Sequence, residues 1–135
     1  MPESVSTGKH MVCDLCQIQD MDRLESTDAM EFLLDRICET HHFSVLHKMV
    51  HKFDPQGLTI LYMLSESHIS IHTFPERNYL AFDIYTCREY PDNSIYLAIY
   101  KDLIRWFDCD MKLSTYRIFH RGVTKPESTI EYIHL

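Results

Sequence analysis

An excess of basic charge is missing from this 135-residue sequence: 13 Lys and Arg stand against 20 Asp and Glu, a formal net charge of −7. A general nucleic-acid binder needs a basic face, so that class is set aside. Long apolar runs are missing too. None reaches transmembrane length, and the opening MPESVSTGKH lacks the basic-then-apolar layout of a secretory signal, so no membrane partner is expected. The five cysteines are odd in number and lack disulfide-like spacing, which points to a reducing, cytoplasmic setting. No G-x-S-x-G elbow, internal repeat or low-complexity segment is present.

What is there reads as one domain over residues 1–135, with 45% hydrophobic and 24% charged residues, ordinary values for a globular chain. After a loose polar start (residues 1–7), Gly8-Lys9-His10 opens a first strand, Met11 to Cys16. Ser26-Thr27-Asp28 supplies helix caps, and Asp28 with Glu31 has capping-box spacing. Met30, Leu33, Leu34, Ile37 and Cys38 recur at helical spacing, and His41-His42 ends that helix. Ser44 to Phe53 reads as a strand, with His47 and His51 on one face, and Asp54-Pro55-Gln56-Gly57 as a turn. A strand follows through position 67, another spans Tyr79 to Cys87, and a second helix carries Ile95, Ala98, Ile99, Leu103, Trp106 and Phe107. Lys112 to His120 closes the set, with a surface tail beyond Gly122. The order strand, helix, three strands, helix, strand predicts an α+β two-layer sandwich: a mostly antiparallel sheet with two helices on one face.

No metal site is expected. Cys13 and Cys16 form a C-x-x-C, but an odd offset on a strand puts the thiols on opposite faces, and no second pair completes a zinc site. His47 and His51 lack a third ligand and read as imidazoles at a sheet surface or dimer contact.

The most unusual stretch is LSESHISIHTFP, Leu64 to Pro75. It sets Glu66, Ser67 and His68 in line, with His72 five residues after Ser67, inside otherwise apolar strand letters. A serine there must satisfy its hydroxyl or use it. HKFDPQG (His51 to Gly57), SESHISIHTFPE (Ser65 to Glu76) and FDIYTC (Phe82 to Cys87) together resemble, in order and spacing, the short prokaryotic S-adenosylmethionine decarboxylases. The resemblance covers roughly residues 8–122 and rests on three separated motifs rather than one.

The resemblance implies a proenzyme that cuts itself before Ser67 into chains 1–66 and 67–135, the serine becoming a covalent pyruvoyl group. That ketone would form a Schiff base with the substrate amine and hold the electron pair as CO2 leaves. It further implies His72 as the processing base, Thr59 as a supporting hydroxyl, and Cys87 as the acid that protonates the substrate carbon. Phe53 matches an aromatic stacking near adenine, Glu76 an acid on the ribose hydroxyls, and Glu66 an acidic position near the substrate. The product, decarboxylated S-adenosylmethionine, would supply spermidine synthesis. The family also implies a homodimer in which two sheets stack face to face as a four-layer αββα sandwich, with sites near the interface.

Several positions depart from the family pattern. Thr7 stands where an apolar residue is common, Arg88 where glycine is usual, Phe74 replaces a tryptophan or tyrosine, and Leu80 replaces a small residue. Thr7 and Arg88 bear on the pocket, so arginine or ornithine is an alternative substrate, with Arg88 as the specificity change. A non-catalytic regulatory relative and a serine hydrolase built on Ser67 and His72 are the readings from other classes.

Overall fold

The computed structural model describes residues 7–122 and 130–133. In chain order the elements are β1 (Gly8–Leu15), α1 (Met21–Glu25), α2 (Thr27–Thr40), β2 (Val45–Lys52), β3 (Leu58–Leu64), β4 (Ser67–Phe74), a 3-10 turn (Pro75–Arg77), β5 (Tyr79–Thr86), α3 (Ser94–Phe107), β6 (Thr115–Arg121) and β7 (Ile130–Ile133). The strands form one sheet in the order β2-β3-β4-β5-β1-β6-β7, every neighbouring pair antiparallel. No helix among the described residues is long and apolar enough to cross a membrane.

Period-2 alternation divides the sheet into two faces. Leu58, Ile60, Tyr62 and Leu64 of β3, Ile69 and Ile71 of β4, Leu80, Phe82 and Ile84 of β5, and Met11, Cys13 and Leu15 of β1 are all buried. They join the apolar stripes of α2 and α3 in one continuous core. The α2 stripe is the expected one: Met30, Leu33, Leu34, Ile37 and Cys38 are its buried residues. Ser26 caps the helix, its hydroxyl accepting from the Ala29 N–H, as expected for a serine at an N-terminus.

Several expectations need correction. The chain between α2 and α3 makes four strands, not three, because Ser65 and Glu66 turn it between β3 and β4. A short α1 precedes α2. The α3 stripe is rotated: Ile99, Leu103 and Phe107 are buried as expected, but Tyr96, Tyr100 and Ile104 complete the face, while Ile95 and Trp106 pack at its margin. The first strand opens at Gly8 as expected but ends at Leu15, before Cys16. Gly8 is needed there, because any side chain would run into the Thr86 carbonyl oxygen and the Cys87 backbone. The final strand starts at Thr115 rather than Lys112. The tail is not all surface loop: Ile130–Ile133 pairs with β6 as β7, and residues 123–129 lie outside the described ones, as do residues 1–6 of the expected loose start.

Among the described residues, the sheet's second face is covered by no helix. It presents His10, Asp14, Thr59, His68, Ser70, His72, Tyr79, Asp83 and Tyr85 together with Met49, Leu61 and Met63, which are 66%, 41% and 53% exposed. Three large apolar side chains side by side on a flat sheet are the kind of patch that marks an interaction surface.

Candidate active site

The site residues named from the sequence fall into two groups at opposite ends of the β3–β4 hairpin. At the tip, Leu64 pairs with Ser67, and Ser65-Glu66 form a two-residue loop. Such tight turns favour residues that tolerate positive φ, and here Ser67 itself takes φ 144°. A side-chain-bearing residue rarely adopts that conformation, so strain sits at the Glu66–Ser67 peptide. The carbonyl oxygen of that peptide accepts a hydrogen bond from the Cys87 N–H at 2.9 Å. The register supplies this donor: Ser67 pairs with Thr86, so β5 ends alongside the tip. The Cys87 thiol is exposed at the same place.

The Glu66 side chain is fully engaged. Its Oε1 accepts from the Ser44 N–H at 3.0 Å, and its Oε2 accepts from the Ser65 hydroxyl at 2.6 Å and Arg88 Nη2 at 2.9 Å. Burial works to raise the Glu66 pKa, but these three donors and the Arg88 charge outweigh it and hold the carboxyl below its usual range.

At the other end, Thr59 Oγ1 and His72 Nδ1 lie 2.9 Å apart across β3 and β4. The exposed Phe53 ring stands edge-on to His51 at 4.6 Å, and Gln56 donates to the Glu76 carboxylate at 3.0 Å. Thr59, His72, Phe53 and Glu76 therefore gather at the far end of the hairpin. The separation follows from strand geometry: Ser67 and His72 are five residues apart on one strand, about 16 Å at 3.2–3.4 Å per residue. One chain does not bring serine and base together. A serine hydrolase within one chain is thereby excluded, since general-base activation needs hydrogen-bond reach.

Between the two ends lies a polar cluster that the sequence reading did not pick out. His10 Nε2 and His68 Nε2 reach the same oxygen of Asp83, at 2.5 and 2.9 Å, and Ser70 donates to its other oxygen. The two imidazoles meet edge to face at 5.5 Å. Burial would raise the Asp83 pKa, but bonds from His10, Ser70 and His68 and the His68 charge prevail and bring it down to about 2. Parity gave a partial signal, since His68 and Ser70 share a face. His10 and Asp83 join them only through the β1–β5–β4 register. Among the described residues, the ligand atoms of His10, His68 and Asp83 lie within 4.8 Å of one another, close enough together for a metal ion. The Nε2 atoms of both histidines already share one carboxylate oxygen. Beside this cluster a groove of about 710 Å³ runs over the open face, lined by His47, Met49, Leu61, Met63, Ser67 and His68 among others.

Two positions marked as departures have structural employment. Thr7 donates its hydroxyl to the Arg121 carbonyl at 3.0 Å. Arg88 donates to the His41 carbonyl at 2.9 Å and to the His42 carbonyl, besides Glu66.

The chain is thus an α+β protein of the one-sided antiparallel-sheet class, with a strained serine at a hairpin tip and a backbone donor on the preceding carbonyl. The comparisons narrow the class. The family model for S-adenosylmethionine decarboxylase matches residues 9–111. The chain is 36% identical over 106 residues to an S-adenosylmethionine decarboxylase proenzyme of Clostridium botulinum (strain Loch Maree / Type A3), covering 78% of this chain and 90% of that one. It is 42% identical over 80 residues to S-adenosylmethionine decarboxylase proenzyme 2 of Bacillus cereus (strain ZK / E33L), covering 59% and 64%. The crystal structure of the adenosylmethionine decarboxylase from Aquifex aeolicus VF5 superposes with a TM-score of 0.75 at 27% identity, covering 92% of this chain and 98% of that one. The chain belongs to the S-adenosylmethionine decarboxylase family. These relatives lend no support to the arginine or ornithine alternative.

Proposed function

We propose that this chain is a pyruvoyl-dependent S-adenosylmethionine decarboxylase that cuts itself between Glu66 and Ser67, and that each working site is shared between two copies of the chain. The observation that carries the reading is the scissile peptide itself: Ser67 at φ 144°, with its preceding carbonyl on the Cys87 N–H. In the first step a bond forms from Ser67 Oγ to the Glu66 carbonyl carbon while the C–N bond breaks, and the hydroxyl proton passes to the freed amine. The Cys87 N–H is placed to stabilise the oxyanion of that step, and release of the φ strain favours the ester. Loss of the Ser67 Hα to a base then expels the Glu66 carboxylate and leaves dehydroalanine, which gains water and loses ammonia to become pyruvoyl.

The residues present fit such a group: the tip is half-buried beside a groove, and the Cys87 thiol lies next to it. When formed, the pyruvoyl carbonyl supplies an electrophile for the substrate amine and a conjugated amide that accepts the electron pair as CO2 departs. The role of Cys87 is to deliver the proton to the substrate carbon, because a thiol is a competent acid next to a developing carbanion.

The base is the remaining requirement. His72 is poised for that work, since an Nδ1–H donated to Thr59 Oγ1 leaves Nε2 free to take a proton. It stands about 16 Å along the strand from its own Ser67. An isologous two-fold dimer that stacks the open faces with opposed strand directions lays the tip of one hairpin on the far end of the other, twice over. Each site then draws Glu66, Ser67 and Cys87 from one protomer. Its partner provides the Thr59, His72, Phe53 and Glu76 half, with Phe53 for the adenine and sulfonium and Glu76 for the ribose. The same stacking covers Met49, Leu61 and Met63.

Hybrid dimers test this reading. Neither Ser67→Ala nor His72→Ala should cut alone. Mixed or co-expressed, they should yield cleaved His72→Ala chains, resolved by intact mass as two fragments meeting between Glu66 and Ser67, with the second reducible by borohydride. A mixture that stays whole refutes the shared site. A wild-type chain that stays whole and inactive would make the protein a non-catalytic relative.

A further inference from the structure

We propose that Arg88 is a positioning residue for the self-cleavage: it fixes the Glu66 side chain to the end of α2 and thereby holds the Glu66–Ser67 peptide in the geometry from which Ser67 attacks. The inference rests on the reading of Ser67 as the cleavage site.

Arg88 is the second residue beyond β5, immediately after Cys87. Its guanidinium lies 5.1 Å above the ring of the buried Phe43 and donates to three acceptors: the carbonyls of His41 and His42, and Glu66 Oε2. His41 and His42 end α2, where carbonyls lack helical partners and carry the negative end of the helix dipole. A planar fork with several donors can serve them and a carboxylate at once; an ammonium on a flexible stem cannot hold the same three directions. Glu66 completes the junction by accepting from Ser44 N–H and Ser65 Oγ–H as well. One ion pair thus ties together the segment after α2, the hairpin tip, and the segment after β5.

That junction bears on the reacting atoms through both of its ends. Glu66 contributes the carbonyl that Ser67 attacks, so fixing its side chain restrains the rotation of that peptide. Arg88 adjoins Cys87, whose N–H holds the same carbonyl, so anchoring Arg88 also fixes the donor. Attack on a carbonyl needs the nucleophile within about 3–3.5 Å along one approach, and a displacement near 1 Å is enough to cost about a hundredfold. The pair is partly withdrawn from water, with Arg88 and Glu66 side chains 31% and 12% exposed, and its several donors set it apart from a lone surface ion pair. Scission adds a second carboxylate to Glu66, and a guanidinium already bonded to that residue offsets the added charge. The carboxylate that the sequence reading offered to the substrate is, in this arrangement, committed to the hairpin.

The test follows self-cleavage of freshly refolded precursor by intact mass for wild type, Arg88→Ala, Arg88→Lys, Glu66→Gln and the Arg88→Ala/Glu66→Gln double variant. Arg88→Ala should slow cutting by about tenfold or more, with Arg88→Lys in between. The double variant should be no slower than the slower single, because the pair acts as a unit. Added guanidinium ion at low millimolar concentration should speed Arg88→Ala and leave wild type unchanged. Arg88→Ala cutting at the wild-type rate, or single effects that multiply in the double variant, would overturn the proposal. Thermal melts of each variant separate lost folding from lost positioning, and Arg88→Lys keeps the comparison usable if the alanine variant does not fold. The Ser67→Ala and His72→Ala mixture, run with Arg88 intact, isolates the underlying reading. An uncut mixture faults the shared site, whereas a cut mixture beside an unaffected Arg88→Ala faults Arg88 alone.

Discussion

Replacing Asp83 with asparagine should remove stability in a way that depends on pH. In the fold the Asp83 carboxyl falls from its ordinary 3.8 to about 2 because bonds from His10, Ser70 and His68 favour its charged form over the opposing effect of burial. At about 1.36 kcal/mol per pKa unit, that depression is worth roughly 2 kcal/mol of folding free energy at neutral pH. A depressed folded-state value means the contribution is complete above the ordinary value and disappears as pH falls from about 4 to about 2. About half of it should be gone at pH 3. The amide keeps the shape of the carboxylate but not its charge, so Asp83→Asn should be destabilised by roughly 2 kcal/mol at pH 7 and by about half that at pH 3. The assay is urea unfolding followed by circular dichroism at several pH values. It should be made in a Ser67→Ala background so that both chains stay whole, and at one protein concentration because any association adds to stability. Other carboxylates titrate in both proteins and cancel in the difference. A gap between the two proteins that stayed constant from pH 7 to pH 3 would refute the cluster's electrostatic account.

Three further outcomes are expected. Cys87→Ala should still mature at least in part, since the N–H on the scissile carbonyl is backbone, yet release CO2 about a hundredfold or more slowly per cleaved chain; normal turnover would end its assignment as proton donor. Phe53→Ala should raise KM for S-adenosylmethionine by up to about thirtyfold, the upper range of a cation–π contact near 2 kcal/mol, with kcat much less affected; an unchanged KM would remove Phe53 from the binding half. Met63→Lys puts a charge in the apolar patch of the open face and should give a monomer by size exclusion that also stays uncut; a monomer that cuts normally would contradict the shared site.

The sequence displayed the helix-facing side of the fold well because burial there imposes a period. The α2 stripe is read residue for residue from its spacing, and the β-strand letters around Ile69, Ile71, Phe82 and Ile84 are core in the structure. On α3 the stripe was rotated because Tyr96 and Tyr100 bury an amphipathic ring that hydropathy alone undervalues. The β3–β4 turn escaped notice for a reason of residue chemistry. Ser-Glu lacks the Gly or Asn that announces a tight hairpin, and the positive φ falls on Ser67, where a glycine would be comfortable but could not supply the hydroxyl that the proposed cleavage needs. Motif spacing marked Ser67, His72 and Cys87, but linear proximity misled about reach. Five residues are a short interval in sequence and a long one on an extended strand. Cys87, twenty residues from Ser67, is its neighbour through register. His10 and Asp83 were invisible for the same reason, since cross-strand partners are set by pairing rather than by order.

Under the proposed mechanism, that inversion of near and far would let such a chain carry a self-cleaving peptide safely. A strained serine with an oxyanion donor is set up for the acyl shift, which is reversible as long as nothing removes the Ser67 Hα. A rigid sheet keeps His72 about 16 Å away from its own Ser67, so in the proposed scheme elimination would wait for a second copy to deliver the base. On this reading the open apolar face and the split site are one device: the surface that needs cover is the surface that completes the chemistry. The commitment to cutting is then tied to assembly, and the junction at Arg88 and Glu66 keeps the tip in register until the partner arrives.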